Sequence, residues 1–362
     1  MSTIRLRKVT KRFGSLVAVN RADLDVEAGE VLCLLGPSGC GKTTTLRMIA
    51  GLEDATEGDI LIAEQRVNHL RPSQRDIAMV FQFYALYPVL TVAENLAYPL
   101  HYERLAKEEI AKRVKRVAAL LELESVLERT PGQLAEGEKQ RAAVGRAIIR
   151  DPNCFLFDEP LSRLDIEQRQ VMRGQIKELL SGLSKATVIV THDQLEALTM
   201  ADRIAVMRDG NIEQVASPHR IFTEPTNLFV AGFIGTPRMN LVEAALTETG
   251  EGHCRFELGG QRVRLPITRP GLSAGSRITF GVRPRACEFT SEPGDDTISG
   301  TVDLVEPMGA ETLVHLLHGE QDLRVVVDRT IRLAVGEQAH LRFEPESVHL
   351  FDESGRRVEA AA

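Results

Sequence analysis

The sequence predicts an α/β domain carrying an inserted helical subdomain and followed by a small all-β domain, and three observations carry that expectation. Short apolar runs at Val31–Leu35, Ile77–Phe81, Phe155–Phe157 and Ala186–Val190 alternate with longer helical patterns, as buried strands of a parallel sheet do. Between the second and third runs lies the charged stretch Tyr102–Leu123, where Leu105, Ile110, Val114, Val117, Ala118 and Leu121 recur near helical spacing. Beyond Asn240 the texture changes to short alternating runs at Arg277–Val282, Thr301–Val305, Thr312–Leu317, Leu323–Val327 and Ala339–Phe343, which predict a small barrel. Gly235, Pro237, Pro270, Gly271, Pro293 and Gly294 punctuate the junction and loops, and the polar tail from Glu353 is expected to fray. The expected domains are therefore 1–235, with the helical subdomain at about 84–152, and 236–362.

Composition narrows the class. A chain of 362 residues, 43% hydrophobic and 26% charged, is long enough for two or three domains and excludes collagen-like or disordered classes. A formal charge of −7 argues against nucleic acid as a partner. The five cysteines (Cys33, Cys40, Cys154, Cys254, Cys287) are scattered without a CxxC pair, so neither a disulfide frame nor a zinc site is expected, and a reducing compartment fits. No apolar run reaches the roughly 18 residues of a membrane span, and the start MSTIRLRK lacks a secretory apolar region, so a cytosolic location is expected.

The chemistry begins directly after the first buried run. Gly36-Pro37-Ser38-Gly39-Cys40-Gly41-Lys42-Thr43 fits G-x-x-x-x-G-K-[ST] and leads into a helical pattern that includes Thr44. Glycines there let successive backbone N–H groups converge on phosphate oxygens, Lys42 reaches the β- and γ-phosphates, and the Thr43 hydroxyl suits Mg²⁺. The expected ligand is a nucleoside triphosphate, with ATP and GTP both open from this loop alone. A second acidic element, Cys154-Phe-Leu-Phe-Asp158-Glu159, delivers two carboxylates at the end of a buried strand. Asp158 is placed for Mg²⁺ and Glu159 for polarising the attacking water, since phosphoryl transfer needs positioning and charge neutralisation.

In these motifs the chain resembles the ATP-binding subunits of ABC importers of the maltose/glycerol-phosphate type, and the resemblance runs over nearly its whole length. The resemblance implies a RecA-like P-loop core with a helical subdomain, an OB-like, TOBE-type regulatory domain, ATP with Mg²⁺, and residence at the cytoplasmic membrane face. Gln82 in Val80-Phe-Gln-Phe-Tyr-Ala-Leu-Tyr-Pro88 looks like the family's Q-loop, implying Mg²⁺ and water sensing. Thr191-His192-Asp193 resembles the switch histidine, and Ser162-Arg163-Leu-Asp165 the D-loop, departing at Arg163 where asparagine is usual. Phe13 is similar to the aromatic on which adenine stacks. Thr191–Leu198, Ala201–Ile204, Asn227–Gly235, Gly281–Pro284 and Val305–Thr312 carry the importer subfamily likeness. It implies two membrane permeases as partners, an extracytoplasmic solute-binding protein indirectly, and a sugar, polyol or glycerol phosphate as cargo.

One motif departs. The family's signature loop reads Leu-Ser-Gly-Gly-Gln, but here the run is Leu134-Ala135-Glu136-Gly137-Glu138. The resemblance implies that this loop acts on the nucleotide of the opposite subunit, and Ala135 has no hydroxyl to donate. Losing one such donor costs roughly 3–4 kcal/mol of transition-state stabilisation, and Glu136 adds an unfavourable carboxylate. The expectation is a heterodimer with a second ATPase subunit of intact signature rather than a homodimer. The alternative is an ATP-binding regulatory subunit with little catalysis of its own.

Overall fold

The computed structural model describes residues 3–103, 105–182, 184–250, 252–267 and 272–359; the turn expected at Pro270 and Gly271 lies outside the described residues, as does the tail beyond 359. The chain divides into two compact units, one ending at His219 and the other beginning at Arg220.

In the first unit, β1 (Ile4–Phe13), β2 (Leu16–Val26), β3 (Val31–Leu35), α1 (Lys42–Ala50), β4 (Glu57–Ile62), β5 (Gln65–Arg66) and β6 (Ile77–Val80) come first. Helices α2 (Val92–Ala97), α3 (Lys107–Leu120) and α4 (Glu136–Ile148) follow, then β7 (Cys154–Asp158), α5 (Ile166–Ser181), β8 (Ala186–Thr191), α6 (Gln194–Met200), β9 (Arg203–Arg208) and β10 (Asn211–Ala216). The central sheet has the order β10-β9-β3-β8-β7-β6, parallel except for the β9–β10 hairpin. Every residue of β3, β7 and β8 is buried, which is why these strands read as unbroken apolar runs in the sequence. All four apolar runs are thus strands of one sheet, and their C-terminal ends lie along one edge, where open α/β sheets bind ligands.

The helical insertion lies between β6 and β7, with Leu96, Val117, Ala118, Leu121 and Val144 among the buried residues that join it to the sheet's core. Its first helix opens on a capping box: Thr91 Oγ1 accepts from the Glu94 amide while Glu94 accepts from the Thr91 amide. The apolar pattern after Tyr102 is helical only from Lys107, because Pro99 and the residues around it form a 3₁₀ turn, Tyr98–Glu103.

A second, antiparallel sheet of order β2-β1-β4-β5 has no counterpart in the sequence reading. Its strands hide because register shifts between Leu6 and Val9, and again before Lys11, break the two-residue alternation on which strand recognition rests.

In the second unit, α7 (Pro218–Thr223), which the division crosses, and α8 (Leu228–Phe233) precede the strands β11 (Asn240–Gly250), β12 (His253–Leu258), β13 (Gln261–Leu265), β14 (Arg277–Val282), β15 (Cys287–Thr290), β16 (Thr297–Pro307), β17 (Glu311–His318), β18 (Gln321–Asp328), β19 (Gln338–Phe343), β20 (His349–Phe351) and β21 (Arg357–Val358). They form a sheet of order β13-β12-β11-β14-β20-β21 and another of order β15-β19-β16-β17-β18. The expected small all-β domain is present, its strands arranged in two antiparallel sheets that share one core, in which the Phe280 ring meets Phe256 at 6.0 Å and Phe343 at 5.3 Å. Gly281-Val-Arg-Pro284 has a packing reason. A Cβ on Gly281 would lie 2.9 Å from the Phe351 ring, and Arg283 donates to Phe222 O (2.6 Å) and Ile234 O (2.7 Å) while stacking on Phe222 at 3.6 Å. Burial lowers the Arg283 guanidinium to about 10.

Candidate functional site

The site assembles at the C-terminal ends of β3, β6, β7 and β8, around a cleft of about 680 Å³. From β3 the chain turns through Gly36–Gly41 into α1. A Cβ on Gly36 would sit 2.3 Å from Met207 O, and Gly41, at φ +104°, would push one to 2.4 Å from Ala18 O. Both positions therefore demand glycine for space, and Gly41 for its backbone conformation as well. Lys42 is buried and folds back over the loop, its Nζ donating to Gly36 O (2.7 Å) and Pro37 O (2.8 Å). Cys40 is buried beneath the loop, and Ser38, Gly39, Gly41, Lys42, Thr43 and Thr44 line the cleft. The N-terminal turn of α1 points its free amides into the same space, the arrangement that receives phosphate.

Opposite the loop, the Thr43 hydroxyl donates to Asp158 Oδ1 at 3.2 Å. Asp158 is 6% exposed, and burial pushes its carboxyl above the ordinary aspartate range, with Thr43, Arg47 and Lys42 pulling it back and Glu159 adding to the rise. A buried carboxylate beside a hydroxyl and facing a phosphate cradle is a hard-oxygen donor pair short of positive charge, which fits Mg²⁺.

Glu159 follows directly, with φ +47°, a sparsely populated conformation for a non-glycine residue. Its amide donates to Val190 O (2.9 Å), and its carbonyl accepts from Ser162 Oγ (3.0 Å). Its carboxylate is engaged at both oxygens: Gln82 Nε2 donates to Oε2 at 3.1 Å, and His192 Nδ1 lies 3.2 Å from Oε1. Gln82 also reaches Ser162 Oγ at 3.4 Å. His192 sits on the loop after β8, which Asp193 ties down by capping α6, accepting from the amides of Leu195 and Glu196. Phe13, at the tip of the β1–β2 hairpin, is 47% exposed at the cleft, and Lys11 Nζ lies 4.7 Å from its ring centroid.

The run Leu134–Glu138 is elsewhere. Leu134 is buried, Ala135 is the N-cap of α4 without a side-chain bond, and none of the five lines the cleft. Glu138 accepts from the Ala135 amide (2.8 Å), and Glu136 accepts from Tyr84 OH (2.7 Å) and Lys139 Nζ (2.6 Å). Both acids are thus occupied within the chain. Asp165 caps α5 by accepting from the Gln168 amide (2.8 Å).

Comparison with known proteins gives this geometry a family. The ABC transporter family model matches residues 19–162, a MalK OB fold domain model 235–286 and a TOBE domain model 280–351. The chain is 45% identical to the sn-glycerol-3-phosphate import ATP-binding protein UgpC of Chromobacterium violaceum, covering all of this chain and 98% of that one. It is 44% identical to UgpC of Escherichia coli K12, over 99% of this chain and all of that one. The alpha-glucoside transport ATP-binding protein AglK of Rhizobium meliloti is 43% identical, over 99% of this chain and all of that one. The chain belongs to the ABC transporter family. Its fold is the ABC ATPase fold followed by OB and TOBE domains. Among solved structures, the ATP-binding cassette MJ0796, described as dimeric in a post-hydrolysis state with ADP and Pi, matches 59% of this chain and 98% of its own, at 33% identity and a TM-score of 0.54.

Several residues of this ABC domain escaped the sequence reading. Arg47 lines the cleft and acts on Asp158, and it sits one helical turn beyond Thr43 on α1, a signal that helical spacing offers. Arg75 donates to Met48 O (2.7 Å) and Ile49 O (2.9 Å), closing the carbonyl end of α1. No local pattern reveals that contact, because it spans two strands, β4 and β5, and a 3₁₀ turn.

Proposed function

We propose that this chain is the ATPase subunit of an ABC importer, hydrolysing ATP to ADP and phosphate and coupling that reaction to uptake of a sugar, a polyol such as glycerol, or glycerol phosphate. The observation that carries the reading is the convergence of Lys42, Thr43, Gln82, Asp158, Glu159 and His192 on one cleft. The names of the relatives, glycerol-phosphate and glucoside import proteins, support the cargo class.

In this mechanism the Gly36–Thr44 turn and the α1 amides hold the β- and γ-phosphates, while Lys42 exchanges its carbonyl partners for phosphate oxygens. Thr43, Asp158 and Gln82 would hold Mg²⁺, which when bound would neutralise charge on the phosphates. Glu159, pinned between Gln82 and His192, accepts a hydrogen bond from the attacking water and orients it for in-line displacement. His192 meets the γ-phosphate, and Phe13 supplies a stacking face for adenine. The chain works peripherally on the cytoplasmic face with two permeases and, through them, a solute-binding protein; nucleic acid is not a partner. Among the described residues no helix is long and apolar enough to cross a membrane.

The partner ATPase is a second subunit rather than another copy. Ala135 leaves the start of α4 without the hydroxyl that would serve the facing nucleotide, so a homodimer has two weakened sites and a heterodimer one. The same observation favours the second reading, a regulatory subunit that binds ATP and turns over little. Glu159→Gln separates the two: transport by the assembled complex falls by roughly a hundredfold or more if this chain catalyses, and is unchanged if it only binds. An inventory of the complex purified from membranes through this chain tests the pairing. A second ATPase with an intact signature supports it; this chain as the sole ATPase refutes it.

A further inference from the structure

The Gln82 loop and the start of α4 are joined by a cluster outside the cleft. Tyr84 (φ +56°) and Ala85 (φ +52°) are consecutive non-glycine residues in the left-handed region, so the loop is held in a costly shape. Arg146 of α4 holds it there, donating to Ala85 O (2.6 Å) and Tyr84 O (3.2 Å). The Tyr84 side chain is 8% exposed and donates its phenol proton to Glu136 Oε2, while Lys139 binds the other carboxylate oxygen. Lys139 first, then Tyr84, holds the Glu136 carboxyl below the usual glutamate range. Arg163 stacks on Phe83 at 4.1 Å, and its charge acts on both Tyr84 and Glu136. Arg163 and Glu136, two departures from the family pattern, therefore meet in one cluster.

We propose that Tyr84 and Glu136 are positioning residues that lock the Gln82 loop to the first turn of α4, so that Gln82, bonded to Glu159, and the free amides of α4 move as one piece. A glycine at position 136 would leave the phenol without this acceptor. The carboxylate that looks hostile to a facing phosphate is instead spent on its own chain. The proposal rests on the ATPase reading above.

A double-mutant cycle on the purified full chain tests it, using Tyr84→Phe, Glu136→Ala and their combination. The readouts are kcat and KM for ATP and, without nucleotide, amide hydrogen exchange at residues 136–139. Tyr84→Phe keeps the ring's packing and removes only the donor. Its kcat is expected to drop about tenfold with KM within about twofold, since a hydrogen bond to a charged group is lost. Glu136→Ala is expected to do the same, the double variant to lose little more than either single, and Glu136→Gln, which keeps an acceptor, to retain most of the rate. Exchange at 136–139 is expected to quicken in both single variants. Losses that multiply independently, an unchanged kcat in Tyr84→Phe, or a faster Glu136→Ala would overturn the lock. Absence of hydrolysis by the wild-type chain, both alone at concentrations where it pairs with itself and in the assembled complex, would sink the ATPase reading instead; exchange alone then decides, and unchanged exchange in Tyr84→Phe overturns the lock.

Discussion

The phosphate loop and the first turn of α4 are both helix starts, yet they are built in opposite ways. The loop before α1 contains no acid and lets glycines bring backbone donors forward, with Lys42 folded over them. The turn at α4 carries Glu136 and Glu138, and each carboxylate is consumed by a neighbour in the same chain. The difference teaches that a charge seen in a motif is not a charge offered to a ligand. What decides is whether the chain has already satisfied it.

Glycine exchange gives the largest contrast. Gly41→Ala forces a Cβ to 2.4 Å from Ala18 O at a positive φ, and nucleotide binding, read by equilibrium titration, is expected to weaken by roughly a hundredfold. Gly137→Ala meets nothing closer than Gln168 Oε1 at 3.5 Å, and is expected to stabilise α4 by about 1 kcal/mol, visible as a raised denaturation midpoint. If the two substitutions behave alike, the contrast between the regions is lost.

Asp158→Asn sharpens the comparison through pH. The folded Asp158 carboxyl titrates above its unfolded value, so the native state holds the proton longer. Its contribution to stability is then greatest below the unfolded aspartate range, falls as pH rises toward the folded value, and stays at that deficit above it. The variant is expected to melt higher at neutral pH, to lose that acid-range dependence and to lose hydrolysis. A lower melting point would mean that Asp158 serves packing rather than the site. The smallest effect falls outside both helix starts: Thr91→Ala removes one half of the α2 capping box and is expected to cost about 1 kcal/mol in chemical denaturation.

Much of the cleft was legible because its chemistry is written in consecutive residues. Gly36–Thr43 and the Asp158-Glu159 strand end announce themselves locally, and buried parallel strands appear as plain apolar runs. Other features are encoded across distance. Tyr84 meets Glu136 from 52 residues away, and Arg75 meets Met48 from 27. The bulged β1 hides its alternation, and in the β-rich unit alternation marks the strands without saying how they divide between two sheets. Local pattern identifies elements and backbone-built sites; side-chain locks need coordinates.

The most direct measurement is ATP turnover by the purified chain, raised to concentrations at which it pairs with itself, against the same chain carrying Ala135→Ser. The cleft is complete and the α4 start lacks one hydroxyl, so the native chain is expected to turn over slowly and to gain about a hundredfold or more with serine. Importer-like turnover by the native chain, with no gain from serine, would contradict it.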